Sequence, residues 1–142
     1  MKLCRKMMRL ASAPFIYSAE NFPIMRYVID TNVWVYAAMH KADIFSQLGG
    51  EEIFTLSTVI GELKTLSRGS GRVSSAAKVA LRMMEKFGVK IIKHAGRSDE
   101  KLMELSGKGY VVVTNDGELI ERIKNAGGKV MTLRKGRIVE EV

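Results

Sequence analysis

Residues 110–116 read "YVVVTND". Tyr110 to Val113 are apolar at every position, and a polar triplet, Thr114-Asn115-Asp116, follows at once. A half-buried strand alternates apolar and polar side chains. A strand that is apolar throughout is covered on both faces, which is the condition of a parallel sheet under helices. The flanking sequence agrees. Downstream, "DGELIERIKNAGG" reads as a helix, "VMTL" as a strand and "RKGRIVEEV" as a terminal hairpin. Upstream, "SDEKLMELSGKG" reads as a short helix with Ser98 as its N-cap, and "VKII" as a strand. "VSSAAKVALRMMEKFG" is the clearest helix, with Val73, Ala76, Ala77, Ala80, Met83, Met84 and Phe87 at i, i+3, i+4 spacing. Gly88 is placed to end it. Before it stand the helix "TVIGELKTLSRG", the strand "EIFTLS", one or two helical pieces in "TNVWVYAAMHKADIFSQLG", and a first strand, "RYVI".

Strands that alternate with helices require right-handed crossovers and a parallel sheet. The expected fold is α/β: a three-layer α/β/α sandwich around a central, mainly parallel five-stranded sheet. The chain has 142 residues, the size of one domain, and 46% of them are hydrophobic, enough for a core. Cys4 is the single cysteine, so no intrachain disulfide forms; a reducing, cytoplasmic location is expected. No apolar run approaches the ~20 residues of a membrane-spanning helix.

Residues 1–24 differ from the rest. Lys2, Arg5, Lys6 and Arg9 stand against Glu20 alone, and "ASA" resembles a cleavage site, but no apolar stretch separates the charges from it. The segment is read as a basic extension, with Met25 as the natural start; a basic tail that touches RNA is the rival reading. Residues 25–142 form the expected domain.

In open α/β sheets, sites form beyond the carboxyl ends of the strands. Asp30 ends the first strand, Glu62 lies about one turn into the helix after the second, Asp99 opens the helix after the third, and Asp116 follows the fourth. Singly, each has a structural explanation as a turn former, a helix-terminus charge or a solvated residue. Together, at one edge, they repel one another unless a cation joins them. No His or Cys accompanies them, which argues against zinc. Hard oxygen donors select Mg²⁺ or Mn²⁺, and such an ion activates water for attack on a phosphodiester.

The net charge of +8 favours polyanionic partners. Residues 63–98 carry nine basic side chains, Arg68, Arg72 and Lys78 among them, against Glu85 alone. Arg134 and Lys135 begin a second basic cluster. An acidic pocket flanked by basic surface suits a nuclease. Other chemistries fail: Gly69-Ser70-Gly71 follows a helix and is no dinucleotide fingerprint, no P-loop exists, and Asn32 stands where a phosphatase of the haloacid dehalogenase type needs a second Asp. His40 and His94 have no Ser or Cys partner and read as surface or loop residues. Trp34 reads as core.

These motifs resemble the PIN-domain nucleases over about residues 26–136. "VIDTNVWV" is similar to the opening strand of that family, "STVIGEL" to its glutamate segment, and "RSDEKLMELSGKGYVVVTNDGELIERIKNAGGKVMTLRKG" to its C-terminal half. The resemblance implies a Mg²⁺- or Mn²⁺-dependent endoribonuclease with Asp30, Glu62, Asp99 and Asp116 at the acidic positions and Asn32 and Thr114 supporting them. Ser98-Asp99 departs from the paired aspartates of many relatives, which bears on the number of ions. The helix–loop–helix of residues 61–81 and "VMTLRKG" resemble archaeal single-domain relatives of the PIN endonuclease that processes small-subunit ribosomal RNA. An rRNA precursor is therefore the expected substrate. A toxin of the VapC type, with an antitoxin partner, and a non-catalytic RNA-binding scaffold are the alternatives; a homodimer fits the family. A phosphotransfer receiver domain ranks last, because "VKII" leads into Lys93-His94 rather than a phospho-acceptor aspartate.

Overall fold

Val111, Val112 and Val113 are all buried. They form a strand with a paired strand on either side and helices over both faces of the sheet. The structure, a computed structural model, describes residues 24–49 and 51–141; the basic extension, except for Ile24, lies outside the described residues. In chain order the elements are β1 (Arg26–Ile29), α1 (Thr31–Met39), α2 (Ile44–Leu48), β2 (Glu52–Leu56), α3 (Ser57–Ser67), α4 (Arg72–Lys86), β3 (Lys90–Ile92), α5 (Ser98–Gly107), β4 (Val111–Val113), α6 (Gly117–Asn125), β5 (Val130–Arg134) and β6 (Arg137–Glu141).

The sheet order is β3-β2-β1-β4-β5-β6. The first five strands are parallel, and β6 pairs antiparallel with β5. Val28 of β1 faces Phe54 of β2 on one side and Val112 of β4 on the other. The chain thus winds outward from β1 to β3, then crosses back to β4 and winds out the other way. Such a reversal opens a crevice at the carboxyl ends of the two central strands, here those of β1 and β4.

The sheet has six strands rather than the expected five. The extra strand is the second arm of the terminal hairpin, turned through Lys135 and Gly136, both with positive φ (50° and 79°). A partner far away in sequence holds it: the Gln47 amide donates to the Gly136 carbonyl (2.8 Å) and accepts from the Ile138 amide (2.7 Å).

α1, α3 and α4 pack on one another, and α5 packs on α6. Ala76, Ala77, Ala80 and Met84 bury one face of α4, while Val73 and Phe87 lie exposed at its ends. Phe87 stacks on Phe45 at 4.3 Å, and Gly88 follows with φ 65°. Trp34 is buried under α1, its Nε1 donating to the Ile29 carbonyl at 3.2 Å. Among the described residues no helix is long and apolar enough to cross a membrane.

Ser98 is not an N-cap. The cap position of α5 is Arg97, which makes no capping side-chain bond, and Ser98 is the first helical residue. Its hydroxyl shares a hydrogen bond with the Thr58 hydroxyl (2.8 Å), so a bond to α3 replaces the local one.

Candidate active site

β1 ends with a last ladder bond, from the Asp30 amide to the Val113 carbonyl at 2.9 Å. Asp30 then turns the chain into α1 as its N-cap, Oδ1 accepting from the Thr31 amide at 2.8 Å. The other oxygen, Oδ2, accepts from the Thr114 hydroxyl at 2.9 Å. Thr114 follows β4 and is fully buried; its Oγ also accepts from the Asp116 amide at 3.1 Å. One hydroxyl therefore ties two acidic positions from two strands together. Asp116 caps α6, Oδ1 accepting from the Glu118 and Leu119 amides (3.0 and 3.4 Å). Asn32 braces the same turn, its Oδ1 accepting from the Asn115 amide at 3.2 Å, and Asn115 Oδ1 accepts from the Leu133 amide at 2.9 Å.

Asp30, Glu62, Asp99 and Asp116 all line one open cleft of about 900 Å³ at the carboxyl edge of the sheet. They are not equivalent. Burial raises the Asp30 carboxyl above its ordinary value; the bonds from Thr114 and the Thr31 amide oppose the rise, and the Glu62 and Asp116 charges add to it. Glu62 is held by the Thr31 hydroxyl, which donates to its Oε1. Asp99 faces a different environment. Arg97 forms a two-pronged pair with it, Nε to Oδ1 and a terminal nitrogen to Oδ2, both at 3.2 Å, and Arg122 of α6 lies 3.6 Å from Oδ2. The Arg97 hydrogen bond keeps the Asp99 carboxyl below its usual range, with the Arg122 charge helping.

Asp30, Glu62 and Asp116 thus share a region short of positive charge, and their hard oxygens match Mg²⁺ or Mn²⁺ in kind. Among the described residues, however, no three acidic, His or Cys side chains gather closely enough to enclose an ion as they stand. The donor set fits a hard cation; its members stand apart, with Asp99 committed to arginine.

Thr31 and Arg122 carry no role in the sequence pattern, and Arg97 stands there as one of the nine basic side chains of residues 63–98. Thr31 lies directly after Asp30 in "VIDTN", and its polar neighbourhood was the available signal. The basic positions fall at two places. Arg68 closes α3 two residues after Leu66, which lines the cleft, while Arg72 and Lys78 are exposed on α4. Arg134 and Lys135 stand at the end of β5, at the same sheet edge. Arg134 is occupied: its Nε donates to Thr132 Oγ at 3.0 Å and its terminal nitrogen pairs with Glu141. His40 caps the end of α1 in the open, and His94 lies in the β3–α5 loop, with Nε2 3.0 Å from the Arg97 carbonyl.

Comparison with known proteins agrees with this architecture. A family model described as "PIN like domain" matches residues 27–136. Ribonuclease VapC9 of Archaeoglobus fulgidus is 32% identical over 125 residues, covering 84% of this chain and 91% of that protein. A solved domain of a functionally unknown protein from Methanocaldococcus jannaschii superposes with a TM-score of 0.59 at 15% identity, over 83% of this chain and 95% of that one, and so shares the fold. The chain belongs to the PIN-like domain family.

Proposed function

We propose that this protein is a divalent-metal-dependent endoribonuclease of the VapC toxin type, with RNA as substrate and an antitoxin polypeptide as partner. The observation that carries the reading is that Asp30, Glu62 and Asp116 line one cleft, with Asp30 raised by burial and by the other two charges. Similarity to a protein named ribonuclease VapC9 supports the toxin reading over the rRNA-processing one.

Asp30 and Asp116 would hold Mg²⁺ or Mn²⁺, with Asp99 completing the set. When bound, the ion supplies a polarised water and positive charge against the phosphate oxygens. Glu62, oriented by Thr31, stands to accept the proton of the attacking water. The amino ends of α1 and α6 abut the cleft and add partial positive charge where the phosphate becomes more negative. Water attack leaves a 3′-hydroxyl and a 5′-phosphate.

The test is incubation of the purified protein with structured RNA, with and without Mn²⁺, beside Asp30→Asn. Cutting that requires the ion and wild-type Asp30 supports the reading; cutting that survives EDTA, or equal cutting by the variant, overturns it. Induced expression in a bacterial host separates the two roles: growth arrest by the wild type but not by Asp30→Asn is the toxin outcome, and unimpeded growth with active enzyme returns the rRNA reading.

A further inference from the structure

The cleft that must receive an RNA phosphate is lined by four carboxylates, and among its described lining residues Arg97 is the one cation. That cation is not free: both prongs of its guanidinium are on Asp99 at 3.2 Å. Asp99 in turn accepts from the Glu100 amide (3.0 Å) and has Arg122 at 3.6 Å. The fourth acid is therefore neutralised by arginine while the other three are left to repel one another.

The backbone of the segment carrying Arg97 is anchored, whereas its side chain is held by the exposed pair with Asp99. Ser57 Oγ donates to the His94 carbonyl (3.0 Å) and accepts from the His94 amide (2.9 Å), which ties the β3–α5 loop to the start of α3. The His94 ring bonds the Arg97 carbonyl (3.0 Å). Beyond this fixed backbone, the Arg97 side chain is 74% exposed. Exposed ion pairs are weak, so a better anion can take the guanidinium at little expense. A phosphodiester is such an anion, because its two free oxygens match the two-pronged donor geometry that the carboxylate now occupies.

We infer that Arg97 is an exchangeable counter-ion: it sits on Asp99 in the RNA-free protein and moves to the substrate phosphate, leaving Asp99 available to the divalent cation. The exchange rests on the metal-dependent reading proposed for this cleft and deepens it. RNA and cation then bind with positive coupling. Linkage is reciprocal, so each must tighten the other. Arg97 is a substrate-binding and positioning residue under this arrangement, and Arg122, more distant from Asp99, is a weaker second partner.

Two binding measurements test it without reference to turnover. In the first, Mn²⁺ is titrated into RNA-free wild type, Arg97→Ala, Asp99→Asn and the double variant, by calorimetry or by the electron-spin signal of free Mn²⁺. Arg97→Ala should bind Mn²⁺ about two- to five-fold more tightly than wild type, the range expected for releasing an exposed pair. The gain should vanish in the Asp99→Asn background. In the second, a fluorescent single-stranded RNA is bound in EDTA. Arg97→Ala should weaken binding about three- to ten-fold and lower the salt slope by about one. Unchanged Mn²⁺ affinity in Arg97→Ala, a gain that persists without the Asp99 carboxylate, or unchanged RNA binding overturns the exchange. A wild-type protein that binds no Mn²⁺ at millimolar concentration overturns the metal-dependent reading itself.

Discussion

The Thr114 hydroxyl donates to Asp30 Oδ2 at 2.9 Å and so joins the end of β4 to the end of β1. The two residues stand 84 positions apart in sequence and are brought together because β1 and β4 are neighbours in the sheet. Thr114→Val keeps the shape and removes the hydroxyl. Asp30 Oδ2 then loses its donor, and the Asp116 amide loses its acceptor. We expect a stability loss of about 1–3 kcal/mol, the range for stranding buried polar groups, measured by urea unfolding. Cleavage should fall as well, and the Asp30 carboxyl should rise further.

Asp30→Asn separates activity from stability. The variant should lose cleavage by roughly 100-fold or more. Its fold should not suffer, since Asn is an equally good N-cap. The sign of the pH effect follows from the raised carboxyl. Asp30 titrates at its ordinary 3.8 when unfolded, and the fold prefers its protonated form. That contribution is full below 3.8 and is lost as pH rises through the higher folded value. In metal-free buffer, wild type should therefore lose melting temperature relative to Asp30→Asn between acid and neutral pH. A melting-temperature difference between the two proteins that does not change with pH would contradict the burial argument.

Metal removal should reverse with metal addition. EDTA should abolish cutting, and Mn²⁺ or Mg²⁺ should restore it. At 100 times its dissociation constant a bound ion adds about 2.7 kcal/mol to the folded state, so the melting temperature of the wild type should climb with Mn²⁺. That of Asp30→Asn should climb much less.

Thr31→Val tests the orientation of Glu62. Thr31 is at the first turn of α1 and only half-buried, so stability should move by no more than about 0.5 kcal/mol. Cleavage should drop about tenfold with RNA affinity unchanged, because the Glu62 carboxylate loses the donor that aims it. Equal rates in wild type and variant would remove Thr31 from the mechanism.

The basic surface should divide unequally. Arg72 and Lys78 are exposed and make no ion pair with the described residues, whereas Arg134 is engaged by Thr132 and Glu141. Substituting Arg72 or Lys78 by Ala should lower the salt slope of RNA binding by about one for each phosphate that the side chain no longer neutralises. Substituting Arg134 should do less to the slope and more to the hairpin, read as earlier thermal loss of β5–β6.

Much of this arrangement was legible in the chain because it is written locally. Tyr110–Val113 is apolar at every position and reads as a covered strand, of which Val111–Val113 forms the strand and half-buried Tyr110 precedes it, and each acid follows its strand within reach of the same edge. What escaped depended on partners remote in sequence. The terminal hairpin was legible, but its place as a sixth strand of the sheet relies on Gln47, 89 and 91 residues from the atoms it bonds. Ser98 prefers Thr58 to its own helix. The arginines on Asp99 come from the residue before α5 and from α6, and only the packing of α5 on α6 brings the second within range. Patterning reveals which residues reach the edge, not which charges they meet there.

The chain holds a single tryptophan, and its indole is hydrogen-bonded to the carbonyl of Ile29, the residue before Asp30. Intrinsic fluorescence is therefore a native optical probe of the strand end that carries the first acid. Emission from one buried indole, with no label and no second tryptophan to confuse it, follows in real time whether that strand end opens, tightens on an ion, or melts with the rest of the fold.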